Sequence, residues 1–217
     1  MSMTTSGVDI NKYVDELTAI RGLVEINVSF NTTSFEKLLS TLRLFKKHEQ
    51  QNEVYLNLAC PITHWNQNRL IDIIKHFENS NVRCIAFQHT TFTAHYNVTM
   101  DFNSIKKQVE KIKNTEFRIP VLFLPDIKPD DIQKYYNGPF FPYYKGNKCI
   151  APWLIPFIQP NGDVIPCDEV NIVMGNVKKE RLKKIWNNKE YRRFRENIQK
   201  HGISQPICNR CCHRQYY

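Results

Sequence analysis

Glycine is scarce in this chain: only 7 of the 217 residues are glycine, and they are scattered along the sequence. The sequence therefore contains neither G-x4-G-K-[ST] nor G-x-G-x-x-G, the glycine-rich loops that hold nucleotide phosphates at the start of a helix. It also has no Ser, His and Asp arrangement with the context of a catalytic nucleophile. These absences argue against P-loop, dinucleotide-binding and triad chemistry.

Long apolar runs are also missing. No run approaches the roughly 20 residues of a membrane-spanning helix, and the N-terminal sequence MSMTTSGVDINKYVDEL has no apolar segment of a signal peptide. We therefore expect a cytoplasmic protein in a reducing compartment. With 41% hydrophobic and 24% charged residues, the composition is that of a globular protein that can bury a core.

Seven cysteines are too few for a disulfide-dense secreted scaffold, and in a reducing compartment clustered cysteines are better interpreted as metal ligands. Cys149 and Cys167 flank the apolar stretch of KCIAPWLIPFIQPNGDVIPC. The Asn161-Gly162 pair within it predicts a hairpin over residues 153–167. Such a hairpin would bring the two thiols toward the same end.

The sequence PICNRCCHRQYY supplies two further thiols in a C-x-x-C. We assign them to Cys208 and Cys211 rather than Cys212, because two intervening residues let both side chains point toward one centre. The predicted metal ligands are Cys149, Cys167, Cys208 and Cys211. Four thiolates favour zinc or an iron–sulfur cluster over magnesium, calcium or manganese. Cys60 and Cys84, which lie within apolar strands, are interpreted as core residues.

The segment between the two cysteine pairs is strongly basic, since ten of the 23 residues from 178 to 200 are Lys or Arg and three are Glu. Its apolar residues have helical spacing with a break at Asn187-Asn188: Leu182, Ile185, Trp186, Phe194 and Ile198. Three interpretations of the charge stay open. The basic residues form a solvated helical face, they offset the negative charge of a thiolate-bound cluster, or they bind nucleic acid together with Trp186 and Tyr191.

These features together resemble the auxiliary-cluster region of radical SAM enzymes. The series runs through Cys149, a G-x4-C from Gly162 to Cys167, Gly175-Asn176, L-x-x-I-W from Leu182 to Trp186, Phe194-Arg195 and the C-x-x-C. It is similar to the SPASM domain and its shortened twitch form. No cysteine follows Cys212, which favours the twitch form and implies one auxiliary [4Fe-4S] cluster.

Upstream, apolar strands alternate with amphipathic helices, which predicts βα units and a parallel sheet. The expected strands cover 23–30, 53–60, 82–88 and 117–124, and the expected helices cover 34–48, 66–78, 101–113 and 129–136. The predicted fold class is α/β, a partial (β/α) barrel with about four parallel strands followed by a small hairpin-plus-helices iron–sulfur domain. We expect the partial radical-SAM-like barrel at 1–144 and the SPASM/twitch-like domain at 145–217.

The family's C-x3-C-x2-C motif, whose cluster binds and cleaves S-adenosylmethionine, is absent from the sequence. The resemblance therefore implies the C-terminal portion of a radical SAM SPASM/twitch-type oxidoreductase or maturase acting on a peptide, sugar or aminocyclitol. S-adenosylmethionine would bind only if the missing N-terminal part is supplied. The alternative function is a non-catalytic four-cysteine zinc module with a basic nucleic-acid-binding surface.

An open barrel edge exposes unpaired strand backbone. We expect a missing N-terminal barrel half, a second copy or a substrate peptide to bind there, and we expect neither a membrane nor nucleic acid as partner.

Polar residues at the carboxyl ends of parallel strands face the ligand site in folds of this type. Four such residues lie at or near the predicted strand ends: Ser29, Asn57, Gln88 and His89. By strand position alone, the resemblance implies that they contact S-adenosylmethionine.

Overall fold

The computed structural model describes residues 2–7, 9–23, 25–30, 35–48, 54–89, 100–137, 149–202 and 206–211. The chain divides into two compact units, residues 1–90 with 94–133 and residues 91–93 with 134–217. The expected boundary between residues 144 and 145 lies outside the described residues. Among those residues, no helix is long and apolar enough to span a membrane.

Five parallel strands form the sheet of the first unit, in the order β1-β2-β3-β4-β5. They are β1 (Ser2–Thr5), β2 (Glu25–Ser29), β3 (Tyr55–Ile62), β4 (Val82–His89) and β5 (Val121–Leu124). The parallel pairing confirms the predicted α/β fold class. The sequence analysis missed β1, because the sequence SMTT has no alternation of apolar and polar residues. A strand at the edge of a sheet can form without such a pattern.

The helices that link these strands are α1 (Val14–Ala19), α2 (Phe35–His48), α3 (Leu70–Phe77) and α4 (Phe102–Lys113), and α5 (Ile132–Asn137) follows β5. Their apolar residues recur every three or four positions, as Ile105, Val109 and Ile112 do on α4, and all three are buried. Asp101 caps the start of α4, since its carboxylate accepts a hydrogen bond from the Ser104 N–H at 3.0 Å.

The second unit contains a three-stranded antiparallel sheet in the order β6-β7-β8, made of Phe157–Ile158, Asp163–Ile165 and Gly175–Asn176. Gly162 turns the chain between β6 and β7 with φ of +92°, a left-handed conformation that favours glycine. The predicted hairpin is confirmed, but it is shorter than expected. Residues Ala151–Leu154 form the short helix α6 instead of a strand, with Pro152 in its first turn.

Two helices, α7 (Leu182–Trp186) and α8 (Lys189–His201), complete the second unit. The break predicted at Asn187-Asn188 is confirmed, because Asn188 caps α8 by accepting a hydrogen bond from the Tyr191 N–H at 2.8 Å. The buried core of this unit consists of residues from the sheet and both helices: Val164, Val170, Met174, Ile185, Tyr191, Phe194 and Ile198. Cys149, Cys167 and Cys208 pack against it.

Candidate metal centre

The four predicted ligands line one cavity in the second unit. Cys149, Cys167, Cys208 and Cys211 contribute to its wall together with apolar residues, among them Ala151, Pro152 and Phe194. Cys211 is buried, the other three are half-buried, and none of the six described cysteines forms a disulfide. The structure therefore brings together the hairpin thiols and the C-x-x-C thiols, as the single-site hypothesis requires.

Each half of the cysteine set is positioned by local structure. Cys149 immediately precedes Ile150 and α6, and Cys167 follows β7, where it forms an isolated antiparallel bridge with Val170. Cys208 lies within the 3-10 turn Pro206–Arg210, and Cys211 follows it. Cys212 and His213 lie outside the described residues, so the choice between Cys211 and Cys212 stays a prediction.

The C-x-x-C turn is held by a residue that sequence analysis missed. The Tyr135 hydroxyl, on the fully buried ring of a residue in α5, donates a hydrogen bond to the Arg210 carbonyl at 3.0 Å. Nothing in the local sequence near Tyr135 signals this role, because the two residues are 75 positions apart.

The pKa of the Cys167 thiol is raised to about 11, chiefly by burial and to a lesser extent by the nearby charges of Cys208 and Asp168. The backbone N–H groups of Glu169 and Val170 donate to its sulfur and partly lower that pKa. The thiol is thus protonated at neutral pH until a cationic centre displaces its proton. Donors that already point at the sulfur are the kind that stabilise a metal-bound thiolate.

Arg195, on α8, is fixed next to this site. Its Nε donates to the Pro152 carbonyl at 2.9 Å, and its Nη1 donates to the Trp186 carbonyl at 2.8 Å. The guanidinium lies 4.2 Å from the ring centre of Trp186 and 4.3 Å from that of Tyr191. Both aromatic rings are therefore occupied by a protein cation, which argues against their use as a stacking platform for nucleic-acid bases.

The donor set fits an iron–sulfur cluster. In the described part of the chain, no three His, Cys, Asp or Glu side chains are grouped so that they could hold one metal ion, although four thiols share one cavity. Ligands of a multi-iron cluster stand farther apart than those of a single tetrahedral ion, since irons and sulfides lie between them. The buried Tyr191 hydroxyl and Arg195 Nη2 also have no hydrogen-bond partner among the described residues.

The two remaining described cysteines lie in the first unit. Cys60 is fully buried, and burial raises its pKa to about 12, which fits the predicted core role. Cys84 is only half-buried, and its thiol donates to the Asn57 side-chain oxygen at 3.3 Å. The prediction of a simple core residue is therefore right for Cys60 and incomplete for Cys84.

Three of the predicted cofactor-contacting residues share one face of the parallel sheet. Ser29 pairs with Ala59, which is two residues from Asn57 on β3, so Ser29 and Asn57 face the same side of the sheet. Gln88 pairs with Pro61, four residues from Asn57, and faces that side too. Asn57 lies near the amino end of β3, and its amide donates to the side chains of Glu25 and Asn27.

His89 does not join this set. It follows Gln88 by one residue and points to the opposite face, where it is 4% exposed and stacks against Phe123 at 6.0 Å. Its pKa is lowered to about 3, chiefly by burial and also by the charge of Lys113, while Asp126 partly opposes the shift. The imidazole is therefore neutral at physiological pH.

Residues 149–212 match the family model of the SPASM iron–sulfur cluster-binding domain. This match confirms the resemblance inferred from the cysteine pattern. Fold and site together define a protein with a parallel α/β sheet and a SPASM-type iron–sulfur region.

Solved structures of radical SAM proteins share the fold. SuiB from Streptococcus suis, bound to S-adenosylmethionine, matches with a TM-score of 0.58 and 14% identity, over 87% of this chain and 48% of SuiB. The anSMEcpe complex with AdoMet and the Kp18Cys peptide matches with a TM-score of 0.56 and 16% identity, over 89% of this chain and 58% of anSMEcpe. The chain thus spans about half the length of these proteins. No curated protein sequence matches it significantly.

Proposed function

We propose that this chain is the auxiliary-cluster portion of a radical SAM SPASM/twitch-type enzyme and that it binds one [4Fe-4S] cluster. The observation that supports this most strongly is the shared cavity of Cys149, Cys167, Cys208 and Cys211. Such a cluster, when bound, supplies one-electron transfer or an anchoring point for the substrate. The substrate class we favour is a peptide, since anSMEcpe is a structural relative that binds one; a sugar or an aminocyclitol is the alternative.

The chain's own residues have separable roles in this proposal. The two cysteines of the hairpin and the two of the C-x-x-C hold the cluster. The N–H groups of Glu169 and Val170 stabilise the Cys167 thiolate. The surrounding apolar wall keeps water away from the sulfurs, which strengthens each hydrogen bond made to them.

The sheet of the first unit supplies the second part of the proposal. Ser29 and Gln88, near the carboxyl ends of β2 and β4, would contact S-adenosylmethionine once a C-x3-C-x2-C segment is supplied by a missing barrel half or a second copy. Asn57 lies near the amino end of β3 and is left out of this set. The strands at the two ends of the described sheet, β1 and β5, are where that barrel half, the second copy or the substrate peptide would dock.

Metal content tests the proposal directly. The protein would be reconstituted anaerobically with iron and sulfide, and iron, sulfide and zinc would be measured per chain. We expect about four irons per chain and a brown absorbance that is lost in Cys149→Ala and Cys208→Ala. Cys60→Ala, in the first unit, is the matched control and should load normally. Stoichiometric zinc with no iron uptake would instead support the zinc module.

A further inference from the structure

Two buried hydrogen-bond donors on α8 lack acceptors among the described residues: the Tyr191 hydroxyl and the Arg195 Nη2. Tyr191 is fully buried, and it lies close enough to Cys167 and Arg195 for the charges of both to act on its phenol. Leaving a buried donor unsatisfied is energetically unfavourable. Two of them on the helix that contributes Phe194 and Ile198 to the cysteine cavity indicate that an acceptor belongs next to that helix.

Arg195 cannot simply turn its third nitrogen toward another group. The hydrogen bonds to Pro152 and Trp186 hold two of its nitrogens, and the guanidinium packs against two neighbouring aromatic rings. Pro152 itself lines the cysteine cavity. The guanidinium of Arg195 is therefore fixed against a residue of the cavity wall, whereas Arg192 and Arg193 on the same helix are exposed to solvent.

We propose that Tyr191 and Arg195 donate hydrogen bonds to the sulfur atoms of the iron–sulfur cluster held by the four cysteines, and that they raise its reduction potential. This inference rests on the proposed function and extends it by assigning residues that tune the cluster. Among the ten basic residues between 178 and 200, it assigns to Arg195 the role of offsetting the negative charge of the cluster.

The direction of the effect follows from charge. Reduction adds one electron to a cluster that already carries the negative charge of four thiolates. Hydrogen-bond donors and a nearby cation stabilise the more negative, reduced form more than the oxidised form. Removing either donor therefore lowers the reduction potential.

A redox titration of the reconstituted full chain, followed by the electron paramagnetic resonance signal of the reduced cluster, measures this effect. Tyr191→Phe removes only the hydroxyl, and Arg195→Lys keeps the charge but loses the fork of donors. We expect each variant to disfavour reduction about tenfold, which corresponds to about 59 mV for a one-electron couple. Arg193→Lys is the matched control and should stay within about twofold of wild type.

Iron and sulfide content is measured on every sample, so that the two proposals can fail separately. If wild type binds no iron, the proposed function is wrong. If Tyr191→Phe and Arg195→Lys load fully and titrate like wild type, the cluster proposal stands and the tuning proposal is wrong. An equal shift in Arg193→Lys would also overturn it. Should Arg195→Lys fail to load, Tyr191→Phe alone decides.

Discussion

The two units of the chain are stabilised by different means. The first has strands of up to eight residues and buries aliphatic side chains along β2, β3 and β4, such as Ile26, Leu58 and Ile85. The second has strands of two or three residues and a described core of seven residues, against which three cysteines pack. Because a small core alone rarely supplies more than about 3–5 kcal/mol, we infer that the second unit depends on what its thiols bind.

The largest expected effect concerns activity. Cleavage of S-adenosylmethionine needs a cluster iron with an open coordination position, and a cluster held by four cysteines has none. The reconstituted and reduced 217-residue chain should therefore form no 5′-deoxyadenosine above a protein-free control. Adding a segment that carries C-x3-C-x2-C, in cis or as a second chain, should restore the product. Clear turnover by the chain alone would show that the cysteines are misassigned.

Removing one metal ligand should destabilise the second unit and leave the stability of the first unit unchanged. In Cys167→Ala the cluster is lost, and we expect amide exchange in residues 157–198 to accelerate at least tenfold, about 1.4 kcal/mol of local stability. Exchange in β3 and β4 should be unchanged. The measurement is hydrogen exchange with mass spectrometry, and Cys84→Ala serves as the cysteine control in the first unit. Equal protection of the second unit in wild type and Cys167→Ala would mean that the metal is not structural.

Acid should destabilise the first unit through His89. Its folded pKa of about 3 lies below the usual value of 6.5, so the unfolded state takes up a proton first as the pH falls. This contribution to stability is complete above pH 6.5 and is lost toward pH 3, at about 1.4 kcal/mol per pH unit. Urea unfolding followed by circular dichroism from pH 7 to pH 4.5 measures the slope.

Two variants isolate this histidine from the other titrating groups. His89→Gln should flatten the pH dependence, whereas His64→Gln, at an exposed position, should leave it unchanged. A wild-type slope that survives in His89→Gln would assign the acid sensitivity to other residues.

The smallest expected effect tests the cap between the two helices of the second unit. Asn188 accepts from the Tyr191 N–H at 2.8 Å, and its amide donates to the Met174 carbonyl at 2.7 Å. Asn188→Ala should cost about 1–2 kcal/mol, measured by thermal unfolding of the loaded protein. Asn187→Ala, which removes one exposed hydrogen bond to Lys183, should cost less than about 0.5 kcal/mol. Equal costs would show that the cap contributes little.

Sequence patterns predicted the elements whose signal is local. The Asn161-Gly162 turn, the helix break at Asn187-Asn188 and the strands β2 to β5 all follow from short-range composition. The cysteine spacing likewise predicted four thiols that the structure places around one cavity. The edge strand β1 was missed because its four residues carry no apolar pattern. The α6 helix was missed because the apolar residues 153 and 154 were interpreted as the start of a hairpin strand.

The rest of the site depends on contacts that no short window contains. Gln88 and His89 are adjacent in sequence, yet successive strand residues face opposite sides of a sheet. Strand position alone therefore grouped both residues as cofactor contacts. The alternation of side chains along β4 places them on opposite faces of the sheet. Arg195 likewise looked like one of ten basic residues, and its hydrogen bonds to Pro152 and Trp186 single it out.

The hydrogen bond from Tyr135 to the Arg210 carbonyl has a consequence for the order of folding. Bringing two points 75 residues apart together costs about 4 kcal/mol in loop-closure entropy, whereas one hydrogen bond returns about 1 kcal/mol. The bond cannot gather the intervening chain by itself. We therefore expect it to form late, after the core around Ile185 and Phe194 has brought the two positions closer together.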